Sequence, residues 1–234
     1  SRSDFESWVS ALSDRGIRWL SEHQNVDGGW GDTPISLSNI STTMLVRAAF
    51  RLARSADSHA TILDRATAYI DRHGAALAVA ARYGKDRTFA IPILATCALA
   101  GQGDWREVAP LPFELACFPH AWFRFLRLHV VSYALPALIA IGQLIHAKRP
   151  SRNLLVRWIR QLASGPSLKK LEAIQPSSGG FLEAIPLTSF VTLSLAASGL
   201  AAHPVAQNGA RFLVNSVRPD GSWSVGLSVG HGPT

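Results

Sequence analysis

Amphipathic helices alternate along this chain with helices that are apolar all round, and glycine-rich turns join the two kinds. That alternation predicts an all-α fold, an α/α barrel (toroid) of paired outer and inner helices. A helix with one polar face lies on the outside, and a helix without one must be buried. No run of β-branched residues is long enough to argue for a strand.

The first outer helix is read over residues 5–24. Trp8, Leu12, Ile17, Trp19 and Leu20 recur at helical spacing, and "DGGWG" stops the helix. An inner helix follows over 39–53, with Asn39 or Ser41 as its N-cap. "ATILDRATAYIDRHG" (60–74) is the second outer helix and "DRTFAIPILATCALAG" (86–101) its inner partner. "VVSYALPALIAIGQLI" (130–145), kinked at Pro136 and flanked by Arg124, Arg127, Lys148 and Arg149, reads as a further inner helix. Its alternative reading is an interfacial helix on a lipid surface. "NLLVRWIRQL" (153–162) is amphipathic again, 186–201 is small and apolar, and 206–217 is amphipathic. The region 1–223 is therefore expected to be barrel, with 151–223 as the start of a second barrel and 224–234 as an irregular tail.

Composition narrows the class. Hydrophobic residues make up 47% of the chain, yet no apolar run reaches the roughly 18 residues of a spanning helix. The net charge of +7 comes from basic residues that are mostly scattered singly, with no block of five or six, which argues against a nucleic-acid partner. Cys97 and Cys117 sit in apolar surroundings and read as buried structural thiols. Neither has metal-ligand spacing around it, so no metal or cofactor is expected. The segment "SRSDFESWVS" lacks the apolar core of a signal peptide, so a cytoplasmic location is expected.

The turns share a pattern. Residues 15–30, "RGIRWLSEHQNVDGGW", place a basic residue, a small residue, an aromatic–aliphatic pair, Gln, Gly and Trp at set intervals. These are Arg15, Gly16, Trp19, Leu20, Gln24, Gly28 and Trp30. A Gln amide offers donors and an acceptor to the orphan groups of a neighbouring helix end, and an indole covers the contact. At 175–181, Gln175 and Gly179 are kept with Phe181 in place of Trp. At 209–223, Gly209, Arg211, Phe212, Leu213, Gly221 and Trp223 are kept, with Val217 where Gln belongs. At 65–74, Tyr69–Ile70 form the aromatic–aliphatic pair and His73 falls near the Gln position.

This pattern resembles the Gln–Trp repeat of triterpene cyclases. The stretch 105–146 is similar to a region of the bacterial squalene–hopene cyclases, through Trp105, Val108, Pro110, Pro112 and Glu114. The resemblance implies the N-terminal and middle part of a cyclase that protonates a linear polyprene such as squalene and guides the cation through ring closure. It implies that the repeats are structural ties, and that the protein attaches to one leaflet, here the inner membrane face. Trp122, Phe123, Phe125, Tyr133 and Phe190 are the candidate substrate-lining aromatics. The family's proton donor is an Asp in an Asp-rich motif, and the 16 acidic residues here contain no Asp-x-Asp. Glu183, ahead of an inner helix, is the weak alternative. The catalytic residue is therefore unknown and the chain alone is expected to be inactive. It would await a C-terminal partner half or pair as a homodimer. The alternative is a non-catalytic isoprenoid-binding or scaffold domain on the same fold. A zinc prenyltransferase subunit shares the barrel, but it needs Asp, Cys and His ligands, and neither cysteine here has suitable neighbours.

Overall fold

A computed structural model describes residues 2–75, 79, 90–117 and 135–223, with side chains from residue 7 onward. The described residues are helical throughout apart from turns and one isolated bridge between Val217 and Trp223. They form the outer and inner helices of the α/α-toroid class.

The chain divides into two compact units. The first comprises Ser1–Val108 together with Arg218–Ser222. It holds α1 (Arg2–Glu22), α2 (Ile40–Leu52), α3 (Ala60–His73) and α4 (Ala90–Leu99). Asn39 is the cap of α2, its side chain accepting the Thr42 N–H at 2.9 Å. Gly74 ends α3 in the left-handed region at φ 88°, where its N–H reaches back to Ile70 and Asp71. Ile17, Trp30, Val46, Phe50, Leu63 and Ala66 form the core between α1, α2 and α3. Every residue of α4 from Ala90 to Ala98 is buried, as expected of an inner helix.

The second unit comprises Ala109–Val217 with Trp223–Thr234. It holds α5 (Leu135–Lys148), α6 (Leu154–Ile174), α7 (Ile185–Leu195) and α8 (Pro204–Asn215). A short 3-10 segment, Phe113–Cys117, packs on α5 and α6. The core joins Ile139 and Ala140 of α5, Leu171 of α6, Phe181 from the turn before α7, Val191 and Leu195 of α7, and Val205 and Ala206 of α8. Leu135 through Ile145 is buried apart from Ala137 and Leu138, so this stretch is an inner helix and not a lipid-facing one. Pro136 lies in its first described turn.

Two elements differ from the sequence reading. α6 does not stop near residue 162 but runs through Pro166 to Ile174. Ala163, Ser167 and Leu171 are buried at spacings of four, and that packing outweighs the proline. α6 is also inverted over its first half. Arg160 is buried, whereas Leu154, Leu155, Trp158, Ile159 and Leu162 are exposed. The second difference is α7, which ends at Leu195 and passes into a single π-turn, Ala196–Leu200, with Gly199 at φ 82°.

Candidate functional site

Three turns are built on one plan. Gly28, Gly179 and Gly221 all have positive φ, at 91°, 86° and 89°. The N–H of each bonds the carbonyl three residues earlier: Asn25 at 3.0 Å, Pro176 at 2.9 Å and Arg218 at 3.0 Å. The residue before each glycine caps the turn. Asp27 Oδ1 accepts the Gly29 N–H at 3.0 Å, Ser178 Oγ the Gly180 N–H at 3.2 Å, and Asp220 Oδ1 the Ser222 N–H at 2.9 Å. Burial works against the charge on Asp27, but the Gly29 N–H and the Ser38 hydroxyl outweigh it and hold its carboxyl below the ordinary value.

Gln24 is the clamp of the first turn. Its Nε2 donates to Gly28 O and to Ile62 O on α3, both at 2.9 Å. Gln175 repeats this, donating to Gly179 O and to Val205 O on α8, both at 3.0 Å. Trp30 Nε1 donates to Leu20 O at 2.9 Å, and Trp223 Nε1 to Leu213 O at 2.7 Å. Phe181 takes the Trp position without an N–H to donate. In both copies that keep the Gln an inner-helix threonine holds the backbone of that aromatic: Thr43 Oγ1 accepts the Trp30 N–H at 3.0 Å, and Thr188 Oγ1 the Phe181 N–H at 2.9 Å.

The remaining repeat positions fall into register. Trp19 stacks on His23 at 3.9 Å and Tyr69 on His73 at 4.1 Å. His23 Nδ1 lies 2.7 Å from Trp19 O, and His73 Nδ1 2.7 Å from Tyr69 O. His73 is thus the counterpart of His23, not of Gln24, whose place is taken by Gly74. Ser216 is the counterpart of His23 in the last copy, its hydroxyl donating to Phe212 O. Arg65 donates to Asn25 O and Val26 O, and Arg15 to the equivalent Pro219 O. Gly209 lies directly against Thr192 Oγ1, leaving no room for a side chain. Gly16 and Arg15 sit on α1, with Gly16 half-buried.

The second unit contains a separate polar cluster. Arg160 Nε donates to both oxygens of Glu114, at 3.2 and 3.1 Å, and the pair is largely buried. The guanidinium lies 6.0 Å from the Phe113 ring centre. The His146 ring lies 6.0 Å from the Phe113 ring, centre to centre, and its buried Nδ1 has no partner. Burial, then the Arg160 charge, holds the His146 pKa below its ordinary value, with Glu114 opposing. Gln143 bridges to α6, donating to Ser164 O at 3.1 Å and Ser167 Oγ at 2.9 Å and accepting from Ser164 Oγ at 3.1 Å. A cavity of ≈ 330 Å³ opens beside it, lined by Gln143, His146, Arg157, Gln161, Ser164 and Ser198 among others. Both carboxylate oxygens of Glu114 are thus committed to the Arg160 guanidinium. Among the described residues no group of three His, Cys, Asp or Glu could hold a metal.

The first clamp, and Gln175, Gly179 and Phe181 of the second, fall inside a stretch that matches a known family. The family model described as the squalene-hopene cyclase N-terminal domain matches residues 7–185. The chain belongs to the squalene-hopene cyclase family.

Within this cyclase domain the candidate lining residues Trp122, Phe123, Phe125 and Tyr133 lie outside the described residues, as do His120 and His129. Phe190 is half-buried on α7. Glu183 is exposed at φ 51° and accepts the Ser178 hydroxyl within the turn. Cys97 is buried as expected, but Cys117 is exposed, because it ends the 3-10 segment and only its Sγ reaches inward to Ala163 O. The buried Glu114–Arg160 pair was missed by the sequence reading. Its partners are 46 residues apart, and only the motif around Glu114 hinted at it. No described helix is long and apolar enough to cross a membrane.

Proposed function

We propose that this chain supplies the N-terminal domain of an enzyme that cyclises a linear polyprene such as squalene by a proton-initiated cation cascade. Membership of the squalene-hopene cyclase family carries this reading. Apolar inner helices offer a dry environment for such a substrate, and aromatic faces stabilise a travelling cation by about 0.5–2 kcal/mol each. The acid comes from outside this sequence, which has no Asp-x-Asp. A C-terminal half or a second copy would complete the enzyme. Since a polyprene dissolves only in lipid, peripheral contact with the inner membrane face belongs to the same proposal.

The test is incubation with squalene, alone and together with a C-terminal cyclase half. No product is expected from the chain alone and cyclised product from the mixture. Product from the chain alone would refute the external acid. Saturable squalene binding with no product in either arm would favour the second reading, an isoprenoid-binding scaffold. The ion-paired state of Glu114 is the observation that favours it.

A further inference from the structure

The cavity beside Gln143 has no part in the repeat ties. It lies where α5, α6 and the π-turn meet, and its volume of ≈ 330 Å³ is at the low end of the range for small-molecule sites. Along α6, Arg157, Gln161, Ser164 and Leu168 line it at spacings of four, three and four, the repeat of one helix face. On α5, Gln143 and His146 line it three residues apart. Leu200 adds an apolar side chain from the π-turn.

The lining selects for charge. No carboxylate belongs to it. Gln143 and Ser164 are spent on each other, and the Ser198 hydroxyl donates to Ser194 O at 2.7 Å. The remaining donors are those of Arg157, Gln161 and His146. Among the described residues neither the Arg157 guanidinium nor the Gln161 amide has a partner. His146 is held neutral by burial and by the charges of Arg160 and Arg157, against that of Glu114. Its Nδ1 is buried without an acceptor, so the ring keeps its proton on Nε2. One full positive charge with neutral donors beside it suits a monoanion. A carboxylate meets a guanidinium fork bidentately, whereas a dianionic phosphate would keep one charge uncompensated. Leu168 and Leu200 offer an apolar wall to the rest of such a molecule.

We propose that this cavity binds a small organic monocarboxylate, its carboxylate on the Arg157 guanidinium with the His146 Nε2–H and the Gln161 amide beside it, and its apolar part against Leu168 and Leu200. The site goes beyond the cyclase reading. A polyprene has no charge to offer it, and the cavity needs no residue from outside the second unit.

The test is isothermal titration calorimetry of the full chain with hexanoate at about pH 7. Saturable binding is expected. Acetate should bind about tenfold more weakly, for want of an apolar part. Hexanol, which lacks the charge, should bind about tenfold or more weakly as well. Arg157→Gln should lower hexanoate affinity about tenfold or more, and His146→Leu about threefold. Lys169→Gln, at an exposed cation elsewhere on α6, should leave it unchanged. Circular dichroism checks the fold of each variant. Absence of saturable hexanoate binding overturns the inference, and so does full hexanoate affinity in a folded Arg157→Gln. Hexyl phosphate binding more tightly than hexanoate overturns the choice of a carboxylate. The titration reads binding alone, so its failure leaves the cyclase reading standing, and a failure of squalene cyclisation leaves this site standing.

Discussion

Gln24 on the edge of α1 bonds the carbonyl of Ile62, 38 residues further on, and so ties the first outer helix to the start of the second. Gln175 and Val205 stand in the same relation in the other unit. Removing the amide strands two carbonyls. Gln24→Ala should therefore cost about 1–3 kcal/mol, read from denaturant midpoints. Gln175→Ala should cost at least as much, because it also abandons the Asn208 amide now donating to its Oε1.

Trp30 separates packing from hydrogen bonding. Trp30→Phe keeps a ring but loses the bond to Leu20 O, and is expected to cost about 1 kcal/mol. Trp30→Ala also empties a site that is only 3% exposed, and should cost about 3–5 kcal/mol. Equal losses for the two variants would contradict the role of the indole N–H.

Glu114 and Arg160 should behave as a unit. Glu114→Ala or Arg160→Ala alone leaves a largely buried charge and should cost about 3–5 kcal/mol. The double variant Glu114→Leu/Arg160→Met should recover most of that loss. A double-mutant cycle on thermal unfolding provides the measurement.

Two glycines with similar backbone angles should respond differently. Gly179→Ala meets the Asn208 carbonyl as well as an unfavourable φ of 86°. Gly199→Ala has φ 82° but open space around it, so only the backbone strain of about 1–2 kcal/mol applies. Gly179→Ala should be clearly the more damaging in parallel unfolding curves.

The cysteines and His146 give opposite pH limbs. Burial pushes the Cys97 thiol up from 9.0 to about 11. Between those values only the unfolded thiol ionises, so stability falls as pH rises through that window. Cys117 should react with a disulfide reagent near pH 8 well before Cys97 does. His146 has a lowered pKa, so below about pH 6.5 the unfolded state takes up the proton more readily and stability falls with acidity. His146→Gln should flatten that acid limb.

Much of this was legible in the order of residues. Gln24, Gly28 and Trp30 announced a turn whose donors and acceptors had to close on a neighbouring helix. Asn39 and Gly74 announced helix ends. The inversion of α6 was not legible, because a periodic stripe of leucines does not say which side meets the core. Buried Arg160 decides it, and its partner Glu114 lies far away in sequence. His73 was placed in the wrong slot because Gly74, which occupies the Gln position, cannot show what it replaces.

The clamps Gln24–Ile62 and Gln175–Val205 span a few tens of residues, so each forms soon after its segment is made. The Arg15–Pro219 bond spans 204. On the ribosome, α1 must wait for nearly the whole chain to emerge before its arginine meets that carbonyl. The Arg15 part of α1 is therefore fastened later than its Gln24 end, and a nascent chain stalled before residue 218 should leave the Arg15 part the more accessible to proteases.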